Sequence, residues 1–180
     1  STPQTRRRSG PRIRVLEDDP RTGVIRLGPQ KSSLPPAPPV FWTYWQAAPV
    51  PRLVAACIAS WRKHHPEMTV RVLTRSDLPG LFPARFARPE DIETQFPWLD
   101  GPTRESDLVR LLVLQAFGGV WIDASFLLAE PLRFFEGVAG VVGPDFAGFY
   151  LQGFTTRRES PVIENWAFAI AVSSMTCFAA

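Results

Sequence analysis

The residues best placed to do chemistry lie between positions 104 and 125. Val120-Trp-Ile122 is a short apolar run that reads as a strand, and Asp123 follows it directly. In open α/β sheets, ligands gather at the carboxyl ends of the strands, so a carboxylate there stands where reactions are run. Upstream, Asp107 and Arg110 are three residues apart, and on a helix that spacing lets the guanidinium orient the carboxylate. Asp107 also has a plainer reading, as a cap at the start of its helix. Arg104 can fork onto phosphate oxygens or stand as an exposed loop arginine. Other reactive residue types offer less. His64-His65 precedes Pro66 with no partner at ligand spacing and reads as surface decoration. Cys57 and Cys177 make neither a disulfide framework nor a zinc spacing, and Cys57 reads as a buried free thiol on an apolar helix face. Gly118-Gly119 reads as a helix stop, and no P-loop or dinucleotide fingerprint is present. Asp145 and Glu164 are the later carboxylates; either can act as a base or touch an acceptor, and both readings stay open.

Stepping these residues into place requires an α/β sheet. Val40 to Trp45 is short, aromatic and bounded by proline-rich turns, which predicts a buried strand. Pro51 opens a helix in which Val54, Cys57, Ile58 and Trp61 recur at helical spacing, and Pro66 stops it. Thr69 to Leu73 alternates and predicts the second strand. Strand, helix, strand is the pattern of a parallel α/β unit. Residues 75–102 allow only short helical turns. A helix is then expected from Thr103 or Ser106 to Phe117, with Leu108, Leu111, Leu112 and Ala116 as its apolar stripe. Further strands are expected at Val138 to Val142 and Gly148 to Phe154.

The domain is therefore expected over 40–180, preceded by an Arg/Pro-rich extended segment over 1–39. That segment holds weaker strand patterns at Arg12 to Leu16 and Val24 to Leu27, then a polyproline-like run over 34–39. Arg6, Arg7 and Arg8 supply most of the net charge of +3. They read as a solvated tail or as an arm for an anionic surface, and the near-neutral remainder argues against a nucleic-acid partner. No apolar run reaches the ~20 residues of a membrane span, and no secretory signal is visible, so a cytoplasmic, reduced setting is the expectation. Trp166 to Ala180 is largely apolar and ends without a polar cap. It reads as an element awaiting cover, so the chain is expected to be truncated at its C-terminus.

The segment Arg104-Glu-Ser-Asp-Leu-Val-Arg110, the Gly118-Gly119 stop and the strand leading into Asp123-Ala-Ser125 together resemble capsular polysaccharide synthesis glycosyltransferases. These are relatives of the DXD-containing sugar-binding mannosyltransferases and of the clostridial glucosylating toxins. Tyr44-Trp-Gln46 with Cys57-Ile-Ala-Ser-Trp61, and Pro161-Val-Ile-Glu-Asn-Trp166, agree with that likeness. The resemblance covers roughly residues 40–166. It implies a GT-A-type fold, with a mostly parallel Rossmann-like sheet and flanking helices, acting in bacterial capsule or surface polysaccharide synthesis. It also implies a nucleotide-sugar donor, a glycan or lipid-linked glycan acceptor, and Mn²⁺ or Mg²⁺, with work at the inner face of the cell membrane. Asp123 is then the catalytic metal ligand, helped by Ser125, which stands where relatives of the wider group place a second Asp. Trp45 and Gln46 border the base; Asp107 and Arg110 hold ribose or sugar; Arg104, Ser106 and Gly119 complete the donor site. A catalytically inactive or incomplete nucleotide-sugar-binding relative is the alternative. A phosphatase-like enzyme is disfavoured, because that chemistry wants a second Asp at position 125.

Overall fold

The computed structural model describes residues 14–19, 24–28, 39–133, 146–150 and 163–170. The expected strand at 138–142, Asp145, the Arg6–Arg8 cluster and Cys177 lie outside these residues. Among the described residues seven strands form one sheet: β1 Arg14–Asp19, β2 Val24–Gly28, β3 Val40–Tyr44, β4 Thr69–Leu73, β5 Gly119–Ile122, β6 Phe146–Tyr150 and β7 Ile163–Ile170. Their spatial order is β1-β2-β6-β7-β5-β3-β4. Among the described residues four α-helices accompany them: α1 Arg52–His64, α2 Leu78–Leu81, α3 Asp91–Gln95 and α4 Pro102–Phe117, with a short 3-10 turn at Arg75–Asp77 before α2.

The α/β class and the flanking helices agree with the expectation. The sheet is parallel in the half that carries the candidate residues, where β3 pairs with β4 on one side and β5 on the other. Beyond β5 the pairings through β7, β6, β2 and β1 are antiparallel. The weak strand patterns before residue 39 are thus real strands, β1 and β2, and they extend the same sheet.

Both faces of the central strands are covered. Successive side chains of a strand point to opposite faces. Val40, Trp42 and Tyr44 of β3 pack with Val109, Leu112 and Val113 of α4 and with Leu78, Phe86 and Ile92. Phe41 packs on the other face with Val54, Cys57, Ile58 and Trp61 of α1. β7 explains part of the apolar C-terminal stretch. It lies between β5 and β6, with Phe168 and Ile170 in one core and Ala167 and Ala169 in the other. A strand buried on both faces reads as a continuous apolar run.

Three expectations need correction. α4 begins at Pro102, with Gly101 at its N-cap and proline in the first turn, earlier than Thr103 or Ser106. Its buried residues are Glu105, Val109, Arg110, Leu112, Val113 and Leu114, whereas Leu111 is 48% exposed. Of the expected stripe, Leu112 is buried and Leu108 packs against the same core, whereas Leu111 and Ala116 are exposed and two charged residues share the buried face. His65 is buried rather than decorative. Its Nε2 accepts the Leu132 N–H at 2.9 Å and its Nδ1 meets Glu67 at 3.0 Å, so it ties the end of α1 to the segment after β5.

Candidate active site

A cavity of about 410 Å³ opens at the carboxyl ends of β3 and β5. Tyr44, Trp45, Gln46 and Ala47 line it from the end of β3. Asp123, Ala124 and Ser125 line it from the end of β5, and Asn165 from β7. Pro102, Thr103, Ser106, Asp107 and Arg110 line it from α4, at the spacing of one helical face. Of the residues singled out from sequence, Trp45, Gln46, Ser106, Asp107, Arg110, Asp123 and Ser125 meet around this one space.

Two do not. Arg104 is off the lining face of α4, is 58% exposed at its side chain, and pairs with Asp100 at 3.0 Å. Gly119 is a packing glycine. Its φ is +101°, and a Cβ there would meet Val40 Cγ1 at 2.8 Å, Trp42 Nε1 at 2.9 Å and the Val40 carbonyl oxygen at 3.0 Å. Glycine alone tolerates both that backbone and that approach. The preceding Gly118 ends α4 at φ +65°, and its carbonyl accepts the Trp42 indole N–H. Glu164 is not among the lining residues.

The deep wall is built around Arg110, whose residue is only 4% exposed. Its guanidinium donates to Asp107 and to the Asn165 carbonyl, and Nη2 lies 3.9 Å from Asp123 Oδ1. The same cation lies over the Trp121 ring, 5.2 Å from its centroid. Its Nε is buried without a hydrogen bond among the described residues. Burial lowers the Arg110 pKa, against the pull of Asp123 and Asp107. Asp107 is the sixth residue of α4, past the orphan amides of the first turn, so the capping reading falls away and the Arg110 pair stands.

Asp123 accepts the Trp121 indole N–H at 2.7 Å through Oδ1. Its own backbone N–H donates to the Trp166 carbonyl at 2.8 Å, which ties the turn after β5 to β7. Burial raises its pKa, and the Trp121 hydrogen bond and Arg110 only partly oppose this. The surroundings thus disfavour the charged form of this carboxyl relative to one in water.

The other wall depends on a residue that sequence reasoning passed over. Glu105 is 3% exposed. It accepts two hydrogen bonds from Arg75, Nε at 2.7 Å and Nη2 at 2.6 Å, one from the Tyr44 hydroxyl, and one from Gln46 Nε2 at 3.1 Å. Arg75 also pairs with Glu93 at 2.6 Å. Burial pushes the Glu105 carboxyl up, but the bonds from Arg75 and Tyr44 outweigh it and hold it below its ordinary value. Burial and the same carboxylate push the Tyr44 phenol well up. The available signal was periodic: Glu105 is in helical phase with Val109, Leu112 and Val113.

The family profile described as "Capsular polysaccharide synthesis protein" matches residues 14–178. The chain is 30% identical over 149 residues to glycosyltransferase afumC of Aspergillus fumigatus, covering 69% of this chain and 38% of that protein. It is 28% identical over 147 residues to O-glycosyltransferase braB of Annulohypoxylon truncatum, covering 69% of this chain and 35% of that one. It thus spans little more than a third of these curated relatives. Among solved structures, PaToxG glycosyltransferase aligns with a TM-score of 0.46 at 15% identity, covering 78% of this chain and 56% of that one. The chain belongs to the capsular polysaccharide synthesis protein family.

Proposed function

We propose that this chain carries the donor site of a glycosyltransferase that moves a sugar from a nucleotide-sugar to a glycan acceptor. The observation that carries the reading is the convergence of Asp107, Arg110, Asp123 and Ser125 on one cavity that Trp45 also lines. The carboxylates suit a polyhydroxylated ligand, and an anionic diphosphate beside them calls for a cation; the aromatic side chain suits a planar ring.

In this reading Trp45 stacks on the base. Asp107, fixed by Arg110, accepts hydrogen bonds from ribose or sugar hydroxyls. Arg110 adds positive charge behind both carboxylates. The residues also fit a divalent cation of the Mn²⁺ or Mg²⁺ type. Trp121 engages Oδ1 of Asp123, which leaves Oδ2 and the Ser125 hydroxyl as oxygen donors on the cavity wall. Among the described residues no group of three or more His, Cys, Asp or Glu is arranged to hold a metal. The fit is therefore to a hard ion held by one carboxylate and completed by diphosphate oxygens. Bound there, such an ion supplies Lewis-acid stabilisation of the charge left on the departing diphosphate. Asp123 holds that position and Ser125 assists, by direct or water-mediated contact.

The test is turnover of a panel of nucleotide-sugars by the native chain and by Asp123→Ala. Removing a group aimed at transition-state charge typically costs about 10²- to 10³-fold in rate, and a loss of that order is expected with the fold retained. Full activity in a folded Asp123→Ala variant overturns the assignment. A native chain that binds a nucleotide-sugar yet never turns it over selects the inactive-relative reading instead.

A further inference from the structure

The Glu105 cluster determines which way a cavity residue faces. A carboxylate held ionised by a bidentate arginine accepts hydrogen bonds and donates none. The group Gln46 turns toward Glu105 is therefore its amide nitrogen, Nε2, at 3.1 Å. That contact fixes the amide orientation, since the reversed amide would set two oxygens against each other. The carbonyl oxygen is then what Gln46 offers to the cavity it lines. Among the neighbouring side chains, Ala47 has no polar atom and Trp45 carries only an indole donor, while the Tyr44 hydroxyl is turned to Glu105 as a donor and keeps its oxygen as an acceptor.

An acceptor beside an aromatic platform reads the edge of a planar ring stacked on that platform. At the centre of a nucleobase edge, uracil and guanine present a ring N–H, whereas cytosine and adenine present a bare ring nitrogen. A carbonyl oxygen is satisfied by the first and repelled by the second.

We infer that Gln46 is a specificity-determining residue for a lactam nucleobase, of the uracil or guanine class, and that Glu105, clamped by Arg75, is the positioning residue that holds its amide oxygen toward the ligand. This rests on the nucleotide-sugar reading above and deepens it. A Glu105 cluster that served only to hold β3 against α4 would leave base discrimination unchanged when Gln46 is altered.

The experiment measures dissociation constants by calorimetry, with Mn²⁺ present, for UDP and its N3-methyl form, GDP and its N1-methyl form, CDP and ADP. Native chain, Gln46→Met and Glu105→Gln are compared. Methylation replaces the ring N–H, so the native chain is expected to bind UDP or GDP about ten-fold or more tightly than the methylated counterpart. Gln46→Met is expected to bring the two within about two-fold, because the acceptor is gone. Glu105→Gln, at a melting temperature that shows it folded, is expected to give a ratio between those limits, because the Gln46 amide is free to turn. If Glu105→Gln does not fold, the Gln46→Met ratio decides alone. An unchanged ratio in Gln46→Met, or tighter native binding of CDP or ADP, overturns the inference while leaving the transferase reading intact. Failure of the folded native chain to bind any of these nucleotides overturns both.

Discussion

Helix α4 carries two arginine–carboxylate clusters on neighbouring turns, and they differ in what they leave unused. Glu105 receives bonds from Arg75, Tyr44 and Gln46, and its pKa falls despite burial. In the second, one buried arginine serves both Asp107 and Asp123, and the Asp123 pKa rises. The first cluster is complete with this chain alone. The second holds two carboxylates against a single guanidinium, beside a cavity that admits a ligand. Buried polar networks that are fully satisfied specify and rigidify structure, whereas incompletely neutralised carboxylates in clefts are where chemistry is found. In the proposed reading the first cluster shapes the site and the second works in it.

The sharpest way to break that contrast is to remove Glu105. Glu105→Ala leaves the Arg75 guanidinium and the Tyr44 hydroxyl without their buried partner. Arg75 keeps Glu93 and is partly exposed, with 24% of its side chain accessible, so the cost falls short of that for a fully buried orphan charge. A loss of roughly 2–4 kcal/mol in urea unfolding is expected. A loss below about 0.5 kcal/mol, the size of an ordinary surface substitution, would show that the cluster does not hold β3 and α4 together.

The same residue predicts a smaller effect through pH. Its folded pKa lies below its ordinary value, so the native state favours the charged form. The stabilisation is fully present above the unfolded glutamate pKa of about 4.3 and is lost as pH falls through the lower folded value. Glu105→Gln should therefore lower stability at neutral pH and flatten the acid limb of the native stability–pH curve. Parallel native and variant curves from pH 7 down to acid unfolding would contradict the shift.

The smallest effect belongs to Arg104, which the geometry removes from both clusters. Its pair with Asp100 is between exposed groups. Arg104→Ala should change stability by less than about 0.5 kcal/mol and leave nucleotide affinity within about two-fold. A ten-fold loss of affinity would return it to the donor site.

How much of this was legible in sequence follows from how local each signal is. The Asp107–Arg110 pair is written in a three-residue helical spacing, and Asp123 in its place after an apolar strand, so both could be read directly. Glu105 could not be read that way. Its partners Tyr44, Gln46 and Arg75 are 61, 59 and 30 residues away, and only the sheet brings them together. Asn165 carries no signal of its own in the sequence beyond its motif. Its place on the cavity wall comes from β7 pairing with β5, a long-range contact with no local signature. Arg104 and Gly119 sat inside an informative stretch, yet one lies off the lining face of α4 and the other fills a packing constraint. His65 was misread because its main partner, the Leu132 amide, lies 67 residues on.

The most direct test of the central claim is the thermal melt of the full chain with UDP, GDP, CDP, ADP and their common sugar conjugates, with and without Mn²⁺. Native chain and Asp123→Asn are run side by side. A ligand at about 100 times its dissociation constant stabilises a folded protein by ~2.7 kcal/mol. The account predicts that one nucleotide class raises the native melt, that the rise requires Mn²⁺, and that Asp123→Asn abolishes the metal requirement along with most of the shift. Equal shifts in native and variant chains without metal, or no shift in a folded native chain, would contradict it.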